Sequence, residues 1–202
     1  GNLTLRPGDI KYLDLDNNDT INFRDQDVIG YAGNIPELSY GLNISATYKN
    51  FRLSMLLQGA SMFSININGP AAIMFSNGSI PLDYQYDYAW QPHPDNPSVN
   101  INPNAKLPAA TFTSSINNSR VSDFWVEDVS YLRFKNINIS YSLPKQIISK
   151  IGMSNLLLYT AAENLFTWTN LGIFKNSFDP EFDPNTQSTR RYPITKSFTI
   201  GL

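Results

Sequence analysis

The chain has 202 residues, of which 16% are charged and 13% aromatic, and its formal net charge is −2. Soluble domains carry about 25% charged residues, so this composition favours a surface that does not face water everywhere, and the weak net charge excludes the basic surface that nucleic acids need. With no cysteine and the single histidine His93, the chain has little material for a zinc site or a catalytic triad, and we predict that it is not an enzyme.

Residues 1–37 are predicted to be a loop, and the acidic run "DLDNNDTINFRD" within them has the spacing of a calcium-binding loop. The six ligand positions fall on Asp14, Asp16, Asn18, Thr20 (through its backbone carbonyl), Asn22 and Asp25. Oxygen ligands suit a hard cation, but Asp19 stands where the sharp turn usually has glycine, and Asp25 replaces a longer glutamate. The alternative is a solvated acidic turn whose side chains bond their own backbone.

The first predicted strand, 38–48, has one apolar side and one side of small, mostly polar residues. The apolar side consists of Leu38, Tyr40, Leu42, Ile44, Ala46 and Tyr48. A strand of this length, at about 3.3 Å per residue and a tilt of about 45°, spans about 25 Å, which is the height of the apolar band on an outer-membrane barrel. We therefore predict that this side faces lipid and the other side a wet interior. A turn at Lys49-Asn50 leads into a second strand over 50–67.

Residues 69–120 are too long for an ordinary connection and are predicted to be a functional loop. The stretch "YQYDYAWQPHPDNP" within it contributes the aromatic residues Tyr84, Tyr86, Tyr88 and Trp90. Exposed aromatic rings stack on sugars or on peptide side chains, so these four residues are candidates for contact with a substrate or a partner protein. The alternative is that they pack the loop upon itself.

Three further strands are predicted over 121–142, 154–167 and 194–202, with a long loop over 168–193. In the first of these strands, Arg133 and Lys135 stand at odd positions, like the apolar Ile137, so regular alternation would place all three on the same side. A lipid-facing cation at mid-depth costs about 2 to 4 kcal/mol, so either both cations lie near the headgroups or a β-bulge turns them inward. In the last strand, Phe198 and Ile200 are predicted to face lipid.

The whole pattern predicts an all-β fold of five long antiparallel strands, in which short turns alternate with long loops, and it contains no convincing helix. That asymmetry is typical of a transmembrane β-barrel. Such barrels need at least about 8 strands to close, so we expect the remaining strands in preceding sequence. The alternative is a soluble, secreted β-sandwich that binds glycans, in which Leu42, Ile44 and Phe198 would pack against a second sheet.

Seven segments resemble, in their order, the C-terminal portion of SusC/RagA-type TonB-dependent outer-membrane transporters of Bacteroidetes. The segments are "PGDIKYLDLDNNDTINFRDQDVIG", "IPELSYGLNISATYKNFRLSMLLQG", "WQPHPDNP", "DVSYLRFKNINISYSLP", "LYTAAENLFTWTN", "FDPEF" and "YPITKSFTIGL". The resemblance implies a barrel of about 22 strands plugged by an N-terminal domain. Residues 1–202 would be its last five strands, with the long loops outside the cell.

The same resemblance implies a multi-pass protein of the cell outer membrane that actively imports oligosaccharides or peptides. Its partners would be outer-membrane lipid, a SusD-like substrate-binding lipoprotein, and TonB, which would engage the N-terminal part. The resemblance implies no catalysis. Calcium in the acidic loop is the one candidate cofactor.

Overall fold

The computed structural model describes residues 5–31, 33–112, 115–181 and 194–202, so residues 182–193 of the predicted loop 168–193 lie outside the description. The strands are β1 (Leu38–Tyr48), β2 (Phe51–Ser61), β3 (Ser64–Asn66), β4 (Val126–Asp128), β5 (Tyr131–Ser142), β6 (Leu157–Glu163), β7 (Thr167–Thr169) and β8 (Ser197–Gly201). The helices are α1 (Asp83–Tyr88) and α2 (Lys145–Ile148), with 3-10 turns at Gly69–Ala71, Ser76–Gly78, Ser149–Ile151 and Gly172–Phe174. The predicted antiparallel, mostly β architecture is confirmed.

Six of these strands form one antiparallel sheet. Its order is β1-β2-β5-β6-β8, and β7 pairs with β5 beyond the end of β6. β3 and β4 form a separate two-stranded sheet. Lys49, with a φ of 52°, makes the tight turn that joins β1 to β2. Among the strands that the structure describes, β1 and β8 each have one unpaired edge, so the sheet is open.

The strand register gives the large sheet two different faces. One row across five strands contains the apolar residues Ile44, Met55, Ile137, Ala162 and Phe198. The adjacent row, on the opposite face, contains Asn43, Leu56, Asn136, Glu163 and Ser197. Successive residues of a strand point to opposite faces, so the alternation that begins in β1 continues across the sheet. We call these sides the apolar face and the polar face.

A β-bulge in β5 changes the phase of this alternation at Lys135. The pairing with β2 steps from Asn136 directly to Phe134, so Lys135 has no partner in β2. Because one extra residue shifts every side chain beyond it to the other side, Phe134 lies on the apolar face and Arg133 on the polar face. Of the two alternatives that the sequence left open for Arg133, the structure shows the bulge, which turns Arg133 to the polar face.

The hydrophobic core lies among the loops at the end of the sheet where β2 ends. Its buried side chains include Phe63, Trp125, Val129, Leu171, Phe174 and Phe178. The large sheet contributes Ala60 and Tyr131, from the last residues of β2 and the first of β5. We call the described parts of residues 5–36, 62–129 and 170–181 the cap. The cap therefore has a core of its own, seated on one end of the sheet.

The structure divides three of the predicted strands. The stretch 50–67 forms β2 and β3, separated by Met62 with a φ of 62°, and the stretch 121–142 forms β4 and β5. The stretch 154–167 forms β6 and the start of β7, separated by Asn164 with a φ of 53°. A positive φ breaks an extended strand, and alternation alone does not reveal where such a break falls.

The prediction that the chain has no helix is wrong. α1 lies inside the predicted loop 69–120, and α2 begins after Pro144 in the turn between β5 and β6. Helices of 6 and 4 residues are too short for a helical period to appear in the sequence. Within the described ranges, every helix is too short or too polar to pass through a bilayer.

Candidate functional site

The acidic loop of the cap gathers three carboxylates. Oxygen atoms of Asp14, Asp16 and Asp25 lie within 4.8 Å of one another. The carboxylate of Asp14 accepts hydrogen bonds from the backbone N–H groups of Asn18 (3.2 Å) and Asp19 (2.7 Å), so the loop winds around that group. Asp19 has a φ of 62°, the left-handed conformation that glycine usually supplies at this position of a calcium loop.

The charge of Asp25 is stabilised by the backbone. The N–H of Asn22 donates to its Oδ2 at 2.7 Å and the N–H of Leu15 donates to its Oδ1 at 2.9 Å. The hydrogen bond from Asn22 is the largest cause that lowers the pKa of Asp25 below its ordinary value. A lowered pKa means that these bonds contribute fully at neutral pH and are lost as the pH falls through the lowered pKa. The backbone of the loop therefore favours the ionised form of the Asp25 carboxyl group.

The donor set fits a hard cation. Three close carboxylates repel one another, and a divalent cation between them would offset that repulsion. The remaining predicted ligands lie in the same loop, where the N–H of Thr20 donates to Asn18 Oδ1 at 2.9 Å and the amide of Asn22 donates to the carbonyl of Thr20 at 2.9 Å. These are oxygen ligands of the kind that calcium takes from carboxylates, amides and backbone carbonyls.

The four aromatic residues predicted to contact a substrate or partner have different surroundings. Tyr84 is 4% exposed and packs edge-on against Phe174 and Phe178, with ring centroids 5.1 Å and 5.8 Å away. The structure corrects the prediction that Tyr84 makes a surface contact, because its ring belongs to the cap core. Burial also raises the pKa of its hydroxyl. Tyr86, in contrast, is 73% exposed.

Tyr88 and Trp90 are half-buried and pack the loop upon itself. The Nζ atom of Lys106 lies 5.6 Å from the ring centroid of Tyr88. The ring of Trp90 lies so close to Gly8 that a Cβ atom there would come within 2.7 Å of it. Most of this stretch therefore follows the alternative, in which the aromatic residues pack the loop upon itself. Of the four, Tyr86 is the residue whose ring is exposed to solvent.

A buried glutamine anchors α1, and sequence reasoning missed it. Gln85 is fully buried; its Nε2 donates to the carbonyls of Pro70 (2.9 Å) and Ala71 (3.0 Å), and its Oε1 accepts from the N–H of Leu82 (2.9 Å). The hydroxyl of Tyr84 also donates to the carbonyl of Ala71. These bonds attach one side of α1 to the turn that follows β3. A polar residue between two tyrosines gives no signal of such burial.

The second missed feature is a set of charges on the polar face. Arg133 Nη2 lies 2.6 Å from Asp179 Oδ2, and Nη1 lies 3.0 Å from Glu181 Oε1 at ion-pair distance but without hydrogen-bond geometry. Arg133 Nε donates to Thr167 Oγ1 at 2.8 Å. Lys135 Nζ lies 3.0 Å from Glu181 Oε2. The two carboxylates belong to the segment "FDPEF", which the resemblance had included without a role.

The apolar face is exposed. Leu42 is 56% exposed, Phe198 72% and Ile200 86%, although each is a large apolar side chain. Over the part of the chain that the structure describes, no second sheet covers them, because β3 and β4 belong to the cap. A contiguous exposed apolar surface marks contact with another protein or with lipid.

Comparison with curated proteins relates the chain to TonB-dependent receptors. It is 28% identical over 207 residues to TonB-dependent receptor P3 and 24% identical over 205 residues to TonB-dependent receptor P26, both of Formosa agariphila. The matches cover 97% and 96% of this chain, which spans only 19% of the length of each relative. No protein-family model matches the chain.

Among solved structures, the fold matches part of the RagAB peptide transporter. The TM-score is 0.53 at 20% identity, over 83% of this chain and 17% of that chain. For the RagAB peptide importer in its "open-open" state the TM-score is 0.50 at 18% identity, over 82% of this chain and 17% of that chain. At these identities the likeness shows a shared fold.

An open antiparallel sheet with one exposed apolar face, capped by loops at one end, is thus a fold that the chain shares with part of a much longer chain. The predicted resemblance is confirmed: the chain is related to the TonB-dependent receptors and has the fold of a part of RagAB.

Proposed function

We propose that this chain is the C-terminal part of an outer-membrane β-barrel that imports oligosaccharides or peptides in a TonB-dependent manner. The observation that carries the proposal is the uncovered apolar face of the large sheet, with Leu42 and Phe198 at its surface. The names of the relatives support transport rather than catalysis. TonB would act through parts of the protein outside this chain, and a SusD-like lipoprotein would deliver the substrate.

The dimensions and edges of the sheet support a barrel wall. β1 has 11 residues and β5 has 12, and a strand of about 9 to 11 tilted residues crosses the hydrocarbon core. The open edges of β1 and β8 would carry unpaired backbone groups, which hydrocarbon does not tolerate. Neighbouring strands of a barrel of about 22 strands would pair both edges.

The polar face would line the interior, and the cap would lie at the extracellular end. β1 starts and β2 ends beside the cap, whereas the opposite end of the sheet has short turns, as the two sides of an outer-membrane barrel do. Tyr86 is the aromatic residue of the cap that we propose to contact a substrate or the lipoprotein. Its exposed ring can stack on a sugar or on a peptide side chain.

We further propose that the acidic loop binds calcium. Asp14, Asp16 and Asp25 would supply charged oxygens, and Asn18, Thr20 and Asn22 neutral ones. The ion would hold the acidic loop of the cap in one conformation.

The alternative of a soluble, glycan-binding β-sandwich loses its physical basis. It requires Leu42, Ile44 and Phe198 to pack against a second sheet. In the described ranges these side chains are 56%, 37% and 72% exposed. We therefore do not propose it.

A pair of arginine substitutions tests the membrane position of β1. In the full-length protein, Leu42→Arg would place a cation in the hydrocarbon, at a cost of about 2 to 4 kcal/mol near the midplane. We expect loss of the folded, heat-modifiable form from the outer-membrane fraction. Asn43→Arg, on the polar face, is the matched control and should leave assembly intact. Equal assembly of both variants, or a worse defect from Asn43→Arg, would contradict the proposed function.

A further inference from the structure

The charges on the polar face attach one loop of the cap to the sheet. Arg133 is 1% exposed, and its guanidinium group faces Asp179 and Glu181 together. Lys135, displaced by the bulge, reaches the second oxygen of Glu181. Two cations of the sheet therefore balance the charge of two carboxylates of one loop. The loop cannot move away from the sheet without breaking these ion pairs.

The same loop enters the cap core directly beside these carboxylates. Phe178 precedes Asp179 in the sequence, and the N–H of Phe178 donates to the carbonyl of Phe174 at 2.9 Å, which closes the loop into one compact turn. Both phenylalanine side chains are buried. A shift of Asp179 would therefore shift the two rings.

These rings support α1. Phe174 and Phe178 both pack edge-on against Tyr84, and Phe174 is the nearer ring at 5.1 Å. Tyr86 lies two residues further along the same helix, and it is the exposed member of the pair. A series of contacts thus leads from the sheet to Tyr84, and the backbone of α1 joins Tyr84 to Tyr86.

We propose that Arg133 is a positioning residue, which fixes the orientation of Tyr86 through Asp179, Glu181 and the aromatic cluster. The inference rests on the proposed function for the ligand that Tyr86 would meet, but the coupling itself does not depend on transport. Arginine suits this role because its planar fork binds two carboxylates and Thr167 at once, whereas lysine presents a point charge.

The test is a spin label at position 86 in the full-length protein. The chain has no cysteine, so after removal of any reactive cysteine elsewhere in the protein, Tyr86→Cys gives one labelling site here. A label at Val121→Cys is the matched control, because Val121 lies in the cap, is 67% exposed and takes no part in the ion pairs of Arg133 and Lys135. Mobility is read from the electron paramagnetic resonance line shape, with and without Arg133→Gln.

We expect Arg133→Gln to raise the mobility of the label at position 86, because α1 is then held less firmly, and to leave the spectrum at position 121 unchanged. Arg133→Lys should restore part of the original line shape. If Arg133→Gln does not assemble, Glu181→Gln replaces it and should change the spectrum at position 86 in the same direction but less, because it removes the ion pairs of Glu181 with both cations and leaves Arg133 paired with Asp179. An unchanged spectrum at position 86, or an equal change at both positions, would overturn the inference.

Substrate uptake distinguishes this inference from the proposed function. If the label at position 86 is released and uptake is unaffected, Arg133 still positions the helix, and the ligand contact proposed for Tyr86 fails. If the protein imports its substrate but the label does not respond, the positioning role fails and the transport function stands.

Discussion

Tyr84 and Tyr86 show how far the environment of a residue departs from its chemical type. They lie two positions apart in α1, and residues with that spacing do not share a helix face. One ring is therefore enclosed by Phe174 and Phe178 while the other is in solvent. The sequence identifies both residues as aromatic, but only the direction of each ring in the structure shows which one packs in the core and which one is exposed.

Arg133 makes a similar point about charge. Regular alternation would place it on the same apolar face as Ile137. Because a lipid-facing cation is costly, we predicted either a position near the headgroups or a β-bulge. The structure resolves the conflict with the bulge at Lys135 and supplies Asp179 and Glu181 as partners. Those partners are 46 and 48 positions away, beyond what local pattern can reveal.

Calcium binding by the acidic loop is tested at the residue scale. Asp14→Asn removes a charged ligand from the cluster, so we expect the affinity for calcium to fall by about tenfold or more, equivalent to a loss of about 1.4 kcal/mol. Asp19→Asn is the control, because it removes the same charge from the same loop but no member of the three-carboxylate cluster, and asparagine accepts a positive φ.

Calorimetric titration of calcium into the purified full-length protein measures both affinities. Equal weakening by the two substitutions would indicate a diffuse charge effect, and no heat of binding in the parent protein would exclude the site.

At the scale of elements, strict alternation was a reliable guide to β1. β1 has the bounds predicted for the strand over 38–48, because one apolar and one polar side per strand leave only one register that suits two different environments. The interruptions between β2 and β3 and between β6 and β7 were not predicted. They are single residues with positive φ, and their position depends on how the cap joins the sheet.

Deletion of Lys135 tests the bulge. Lys135 is the unpaired residue, so without it Phe134 would follow Asn136 directly and stay opposite Leu57, with Arg133 still opposite Gln58 on the polar face. We therefore expect the variant that lacks Lys135 to assemble. Deletion of the paired residue Phe134 is the contrast, because it places a cation, either Lys135 or Arg133, opposite Leu57 on the apolar face, and we expect no folded protein in the outer membrane. The heat-modifiable migration of each variant checks this, and equal assembly of the two deletion variants would contradict the bulge at Lys135.

At the scale of the whole molecule, the chain has a cap with a buried core and a sheet without one. The sheet has an apolar face in solvent and two unpaired edges within the described strands. In water, such edges and faces favour association with other copies. The sheet therefore needs a surrounding medium and neighbouring strands, as the proposed barrel would provide.

This leads to a prediction for residues 1–202 expressed alone. Without detergent, we expect aggregates, because the apolar face and the edges of β1 and β8 remain uncovered. Size-exclusion chromatography with light scattering measures the outcome. A monodisperse, soluble monomer would contradict the proposed membrane position of the sheet.

The sequence by itself determined the two-sided strands, their antiparallel class and the family resemblance, because alternation and motif order are local properties of the chain. It also predicted a set of oxygen ligands in the acidic loop, where the structure brings three carboxylates together. Only the tertiary structure decided that Tyr84 is buried and Tyr86 exposed, that the bulge turns Arg133 to the polar face, and that "FDPEF" supplies its partners. Those features depend on contacts between segments that are distant in the sequence. The energy of such a contact depends on both segments and on their relative position, so neither segment alone predicts it.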